Sequence, residues 1–206
     1  MRHFTIAAPL RISGRKNKGL RGLSGKPFHP PLTDLPIAAY LFAAVFDVVS
    51  IALYGGHESV GRELFLAGTW VLLGGAAVSV LAALTGWADW HRSSEPGTQA
   101  RRTVNTHAVI MLTVTALILA DLAVRVEQSD AEQTPVACVV LSLVSAVLVV
   151  LGSTYGGSLV FDYGFNVETA GDHPVWHSNE QDVFPGQSTP YPAEPVKKTT
   201  KAKTRR

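Results

Sequence analysis

The chain has 206 residues, of which 34 are charged, 18 Lys or Arg and 16 Asp or Glu. Four long apolar stretches contain only three of these charges, Asp47, Asp121 and Arg125, and this distribution excludes an ordinary soluble globular domain. The single cysteine, Cys138, excludes a disulfide framework and a cysteine-ligated metal centre.

Each apolar stretch is long enough to cross a membrane as a helix, because about 20 residues at about 1.5 Å per residue span the hydrocarbon core. The first stretch follows 34 other residues, so it does not resemble a cleaved signal, whose short basic region directly precedes its apolar core. We therefore predict an all-α integral membrane protein with four spans, at about 35–54, 64–87, 107–126 and 135–161.

The distribution of Lys and Arg predicts the orientation, since short basic loops stay on the cytoplasmic side. Seven of these residues precede the first span, three lie in the second loop and six in the C-terminal tail, against Arg62 and Arg125 on the other side. We expect a multi-pass protein of a bacterial plasma membrane with both termini in the cytoplasm. Short connections favour an antiparallel four-helix bundle at 34–163, between a basic segment at 1–33 and a disordered basic tail at 164–206.

The start of the first span carries local helix signals. Thr33 or Asp34 can accept hydrogen bonds from free backbone N–H groups as an N-cap, and Pro36 suits the first turn. The prolines before them, including Pro30 and Pro31, predict an extended segment that leads into the helix.

Small residues predict how the helices pack, because helices in lipid associate through close contact and interhelical hydrogen bonds. They form one stripe on the second span and one on the fourth: Gly75, Ser79, Ala83 and Gly86, then Ser145, Gly152 and Gly156. We expect these two smooth faces to meet.

Charge inside the membrane costs roughly 2.5–3.5 kcal/mol per residue at mid-bilayer, so each case needs a physical reason. Asp47 and Asp121 lie at similar depth in the predicted first and third spans. Arg125 follows Asp121 by one helical turn, which predicts a local ion pair. Asp47 has no local partner, and three interpretations stay open: a protonated carboxyl, hydrogen bonds from another helix, or a place in a proton path.

Polar residues gather at the predicted cytoplasmic edge of the bundle. His29, His91 and His107 are the candidate cofactor ligands there, with Asp34 and Asp89 in the same polar pocket. A b-type haem between helices needs imidazoles on its two faces, so haem b is the candidate cofactor, and we expect no metal other than haem iron. The alternative is that these histidines bind loop carbonyls and lipid phosphates.

An ordered set of motifs resembles the bacterial four-span membrane family catalogued as domain of unknown function 2231, over about residues 25–167. The motifs are FHPPLTDLPI, FDVV, AALTGWADW, RRTVNTHA, ADLAVR and GGSLVFDYG. Some relatives of this kind are fused to Rieske iron–sulfur domains, which implies membrane-associated electron transfer. The family's first turn often reads His-Pro-x-His-Pro, whereas Lys26 takes the place of the first histidine here.

No hydrolase, nucleotide-binding or metalloprotease motif is present, so we expect neither an enzyme active site nor a nucleic-acid partner. We predict a membrane-anchor or b-haem redox subunit with its polar pocket at the cytoplasmic face. The alternative is a cofactor-free bundle for assembly or for solute or proton passage around Asp47 and Asp121. The expected partners are the lipid bilayer, anionic lipid at the basic tails and a redox protein, and a homo-oligomer stays open.

Overall fold

The computed structural model describes residues 20, 27–53 and 55–166. These residues form four α-helices and no strand: α1 (His29–Ala52), α2 (Glu58–Ser93), α3 (Gln99–Glu127) and α4 (Val136–Phe161). All four are long and apolar enough to cross a membrane. The prediction of an all-α protein with four membrane spans is confirmed, while most of the basic segment and of the tail lies outside the described residues.

The helices are longer than the apolar stretches that predicted them. The longest, α2, has 36 residues, whereas its predicted span ran from 64 to 87. The predicted span ends near the first charged residues, but Glu and Arg are good helix formers and continue a helix beyond the hydrocarbon core. The ends of α2 and α3 that carry Trp90 and Arg101 therefore extend the bundle past its apolar part.

The predicted start of the first helix is wrong. The N-cap of α1 is Phe28, and no side chain caps it. Thr33 instead donates its hydroxyl to the carbonyl of Pro30 at 2.7 Å, within the helix. Pro30 and Pro31 are part of the first turn rather than of an extended lead, because backbone N–H groups there need no helical acceptor.

Each helix packs against two neighbours, so that α1 and α3 lie diagonally opposite each other, as do α2 and α4. The contacts within each hairpin run in opposite directions along its two helices, as in an antiparallel pair. In the first hairpin Ser50 contacts Gly61 and His29 contacts Gly86; in the second, Met111 contacts Gly152 and His107 contacts Gly156. The axis between the four helices is filled by Tyr40, Ala43, Leu72, Val114, Ile118 and Val149.

Large apolar side chains cover the outside of the bundle. Trp70 is 70 % exposed and Val126 is 76 % exposed, and they are two of many such side chains, whereas a soluble domain exposes large apolar residues singly or in small patches. Lipid tails are as apolar as these side chains, so burial drives helix association only weakly in a bilayer. The outward apolar surface agrees with a membrane protein.

The two stripes of small residues do not meet, so that prediction is wrong. A Cβ placed on Gly75 would lie 2.7 Å from the Cβ of Ala39, and one placed on Gly152 would lie 2.7 Å from the Sδ of Met111. Each stripe thus packs against the other helix of its own hairpin. In the part of the chain that the structure describes, the backbones of α2 and α4 do not approach each other closely.

Candidate functional site

Two histidines face each other across the axis of the bundle. His29 is in the first turn of α1, and His107 is in α3, the diagonally opposite helix. Their ring centres are 6.4 Å apart, and the ring planes are at 87°. We call the end of the bundle that holds them the histidine end.

Both imidazoles are held by the same kind of hydrogen bond. Nδ1 of His29 lies 2.8 Å from the carbonyl oxygen of Ala82, and Nδ1 of His107 lies 2.8 Å from that of Gly152. A carbonyl oxygen only accepts, so each Nδ1 carries the proton and donates it. Each Nε2 therefore keeps its lone pair, and neither has a hydrogen-bond partner among residues 27–53 and 55–166.

A glycine lies beneath each of the two rings. A Cβ on Gly86 would lie 2.7 Å from Cε1 of His29, and a Cβ on Gly156 would lie 3.3 Å from Cε1 of His107. Gly86 is one turn beyond Ala82, and Gly156 is one turn beyond Gly152. Each ring thus binds a helix carbonyl and covers the glycine that follows it by four residues.

The other predicted site residues at this end form no hydrogen bond with the pair in the part of the chain that the structure describes. His91 is exposed and stacks on Trp87, with ring centres 5.8 Å apart and planes at 10°. Asp34 is exposed on α1, whereas Asp89 is buried, and its Oδ1 has no partner in the described part of the chain. Of the five residues of the predicted pocket, the structure brings together His29 and His107.

A second polar layer crosses the bundle near its other end and centres on Arg125. The Arg125 guanidinium donates to the carboxylates of both Asp47 and Asp121, in the second case from Nε at 2.9 Å. It also donates to Oγ1 of Thr69 at 3.2 Å, while the Thr134 hydroxyl donates to Asp47 at 3.3 Å. The three charged side chains are at most 1 % exposed.

Sequence reasoning identified the Asp121–Arg125 pair but missed the bond from Arg125 to Asp47. Hydrogen bonds from another helix were one of the interpretations left open for Asp47, and Arg125 of α3 supplies one. Spacing was the available signal: Asp47 follows His29 by 18 positions, and Arg125 follows His107 by 18. Equal spacing places the two pairs at matching levels of α1 and α3.

The two layers differ in what they can bind. The carboxylates and the guanidinium satisfy one another, which is the usual arrangement for buried structural charges. The two imidazoles instead offer unused nitrogen lone pairs. Among the residues with described structure, no group of three or more His, Cys, Asp or Glu side chains could hold a metal ion, so a bare Zn²⁺ would lack ligands here.

Comparison with known proteins gives one match. A family model described as "Predicted membrane protein (DUF2231)" matches residues 25–169, which include all four helices and more than half of the chain. No curated protein and no solved structure matches the chain.

Proposed function

We propose that this chain, which belongs to the DUF2231 family of predicted membrane proteins, functions in electron transfer. In this role it is a membrane subunit that holds a b-type haem between His29 and His107. The proposal depends on one observation above all, the distance between the two imidazole rings. Each further feature of the site supports it independently.

The ring separation fits two imidazoles on opposite sides of one metal ion. A metal lies about 2.0–2.1 Å from a bound imidazole nitrogen, and about 1.1 Å more separates that nitrogen from the ring centre, which gives about 6.3 Å between ring centres. The rings of His29 and His107 are 6.4 Å apart. The fit depends on this distance and not on the 87° between the ring planes, because rotating a ring about the metal–nitrogen axis leaves the distance unchanged.

The hydrogen bonds of the two rings also suit metal ligands. A ligating histidine usually donates its second ring N–H to a carbonyl or carboxylate, which fixes the tautomer and raises the basicity of the other nitrogen. Ala82 and Gly152 supply these carbonyls. Neither Nε2 is among the buried atoms of the described residues that lack a hydrogen-bond partner, so each lone pair is accessible to a ligand.

Haem suits this pair better than a bare metal ion. The porphyrin supplies four nitrogens, so the iron needs only two ligands from the protein, and two histidines are present. A haem held by His29 and His107 would supply one-electron transfer. Electron transfer is also what the sequence resemblance to a family with Rieske fusions implies.

An absorption spectrum tests the proposal. The full chain is expressed with haem supplied, purified in detergent and compared oxidised and dithionite-reduced, together with His29→Ala, His107→Ala and the control His91→Ala. We expect a Soret band and reduced α-band near one haem per chain, lost in the first two variants and kept in the third. A folded wild-type protein without these bands, or bands unchanged in His107→Ala, would contradict the proposal.

A further variant separates loss of a ligand from loss of the fold. Methionine at position 107 can still bind haem iron, so His107→Met should keep haem but shift its bands and its midpoint potential. A misfolded protein would lose the haem instead. Unshifted bands in His107→Met would mean that another residue binds the iron.

The surroundings of the protein are proposed from charge alone. The excess of Lys and Arg favours a plasma membrane with the histidine end and both termini in the cytoplasm, where a redox protein can exchange electrons with the haem. Basic tails would add attraction to anionic lipid. The rival function, proton or solute passage around Asp47 and Asp121, has less support, because Arg125 binds both carboxylates.

A further inference from the structure

Gly86 and Gly156 are four residues beyond the carbonyls that bind the two histidines. Helix geometry explains why a glycine is suited to this position. A helical carbonyl points towards the residue four positions later. The Cβ of that later residue points back towards the helix N-terminus, over the same carbonyl. A ring that donates to a carbonyl from outside the helix therefore occupies the space that this Cβ would fill.

The distances at the two glycines agree with this argument. A Cβ at Gly86 would lie 2.7 Å from Cε1, 3.1 Å from Nδ1 and 3.3 Å from Nε2 of His29. A Cβ at Gly156 would lie 3.3 Å from Cε1 and 3.4 Å from Nδ1 of His107. Real Cβ atoms essentially never come within 3.0 Å of such an atom, so the His29 ring would have to move, whereas the His107 ring would shift by only a few tenths of an ångström.

We infer that Gly86 and Gly156 are positioning residues for the two histidines that would hold the haem: each lets an imidazole lie over the glycine while its Nδ1 donates to the helix carbonyl, and this fixes the direction of its Nε2. The inference rests on the proposed haem site and adds the residues that set its ligand geometry. It also separates these glycines from Gly75 and Gly152, which contact Ala39 and Met111 of a neighbouring helix.

Four glycine-to-alanine variants of the full chain test the inference. Gly86→Ala and Gly156→Ala change the proposed positions. Gly74→Ala on α2 and Gly157→Ala on α4 are the matched controls, because a Cβ at Gly74 meets nothing within 4 Å and one at Gly157 only reaches Phe161 at 3.9 Å.

Haem affinity and spin state are measured by haem titration and electron paramagnetic resonance. For Gly86→Ala we expect high-spin iron and a haem affinity reduced roughly 10- to 100-fold, the range for lost support of a metal ligand. Gly156→Ala should stay low-spin with altered g-values, and both controls should match the wild type. A Gly86→Ala spectrum identical to that of Gly74→Ala would overturn the inference.

A second readout does not need haem. In protein prepared without haem, the ¹⁵N NMR signals of His29 report its tautomer and the hydrogen bond to Ala82. Gly86→Ala should shift these signals while the controls leave them unchanged, and no shift would overturn the inference. If the wild type binds no haem but the His29 signals still move, the proposed function fails while the positioning of His29 by Gly86 stands.

Discussion

Arg125 places one guanidinium against two carboxylates, Asp47 and Asp121, in a part of the bundle that is shielded from solvent. Removing one of these three side chains affects the other two to different degrees, depending on which one is removed. Without Asp47, Arg125 still has Asp121 one turn away on the same helix. Without Arg125, two buried carboxylates would face each other with no positive charge. The cost of a substitution should therefore depend on which partner is removed.

We expect Arg125→Met to lower the free energy of unfolding by about 3–5 kcal/mol, the usual cost of leaving a buried charge without its partner. Asp47→Asn should cost less, and adding it to Arg125→Met should recover part of the loss, because it removes one of the stranded carboxylates. The exposed Asp34→Asn is the control and should change little. Unfolding in detergent, followed by circular dichroism, measures all four, and equal losses for Arg125→Met and Asp47→Asn would contradict this account.

At the scale of the helices, hydropathy was enough to predict four spans, because twenty apolar residues in a row have few other stable structures. It could not predict the helix ends, since Glu58 and Arg92 continue α2 outside the apolar stretch. Nor could it predict the partner of each small-residue stripe, because a stripe reveals where close contact is possible but not with which helix. The short hairpin connections decided that choice in favour of α1 with α2 and α3 with α4.

At the contact between α1 and α2, we predict that substitution by alanine changes stability in opposite directions at the adjacent residues Gly74 and Gly75. A Cβ at Gly75 would lie 2.7 Å from the Cβ of Ala39 and 3.0 Å from Cε1 of Tyr40, while one at Gly74 meets nothing within 4 Å. We expect Gly75→Ala to destabilise by about 1–3 kcal/mol through overpacking. Gly74→Ala should instead stabilise by up to about 1 kcal/mol, because alanine is the better helix former. Melting temperatures in one detergent compare the two, and a stable Gly75→Ala variant would contradict the packing described.

For the molecule as a whole, the two hairpins are built alike. The first contributes His29 and Asp47, and the second contributes His107 and Arg125 at the same spacing of 18. The histidine pair was predicted only as part of a larger cluster, because the sequence does not reveal that α1 and α3 are diagonal or that His91 faces outward. The opposite charges at the matching positions favour pairing of unlike hairpins. Two copies of the first hairpin would bring Asp47 against Asp47.

Because the charges of the two hairpins are complementary, we predict that the protein still assembles when the chain is cut between the hairpins. The connection around Gly97 is short, and Arg101 binds the carbonyls of Trp90 and Ser94 across it, so the two ends stay associated without a covalent link. We expect fragments 1–96 and 97–206, produced together, to copurify in detergent. Asp47→Arg in the first fragment should abolish copurification, because two positive charges would then face each other at positions 47 and 125.

Adding Arg125→Asp to the second fragment should restore copurification at least in part, since the guanidinium then lies on α1 and the carboxylates on α3. Restoration would mean that the charges act across the bundle as a pair, whichever helix carries which sign. If Asp47→Arg has no effect, or if the first fragment pairs with itself as well as with the second, pairing depends on apolar contacts alone. The buried charges would then stabilise each hairpin's position without selecting its partner.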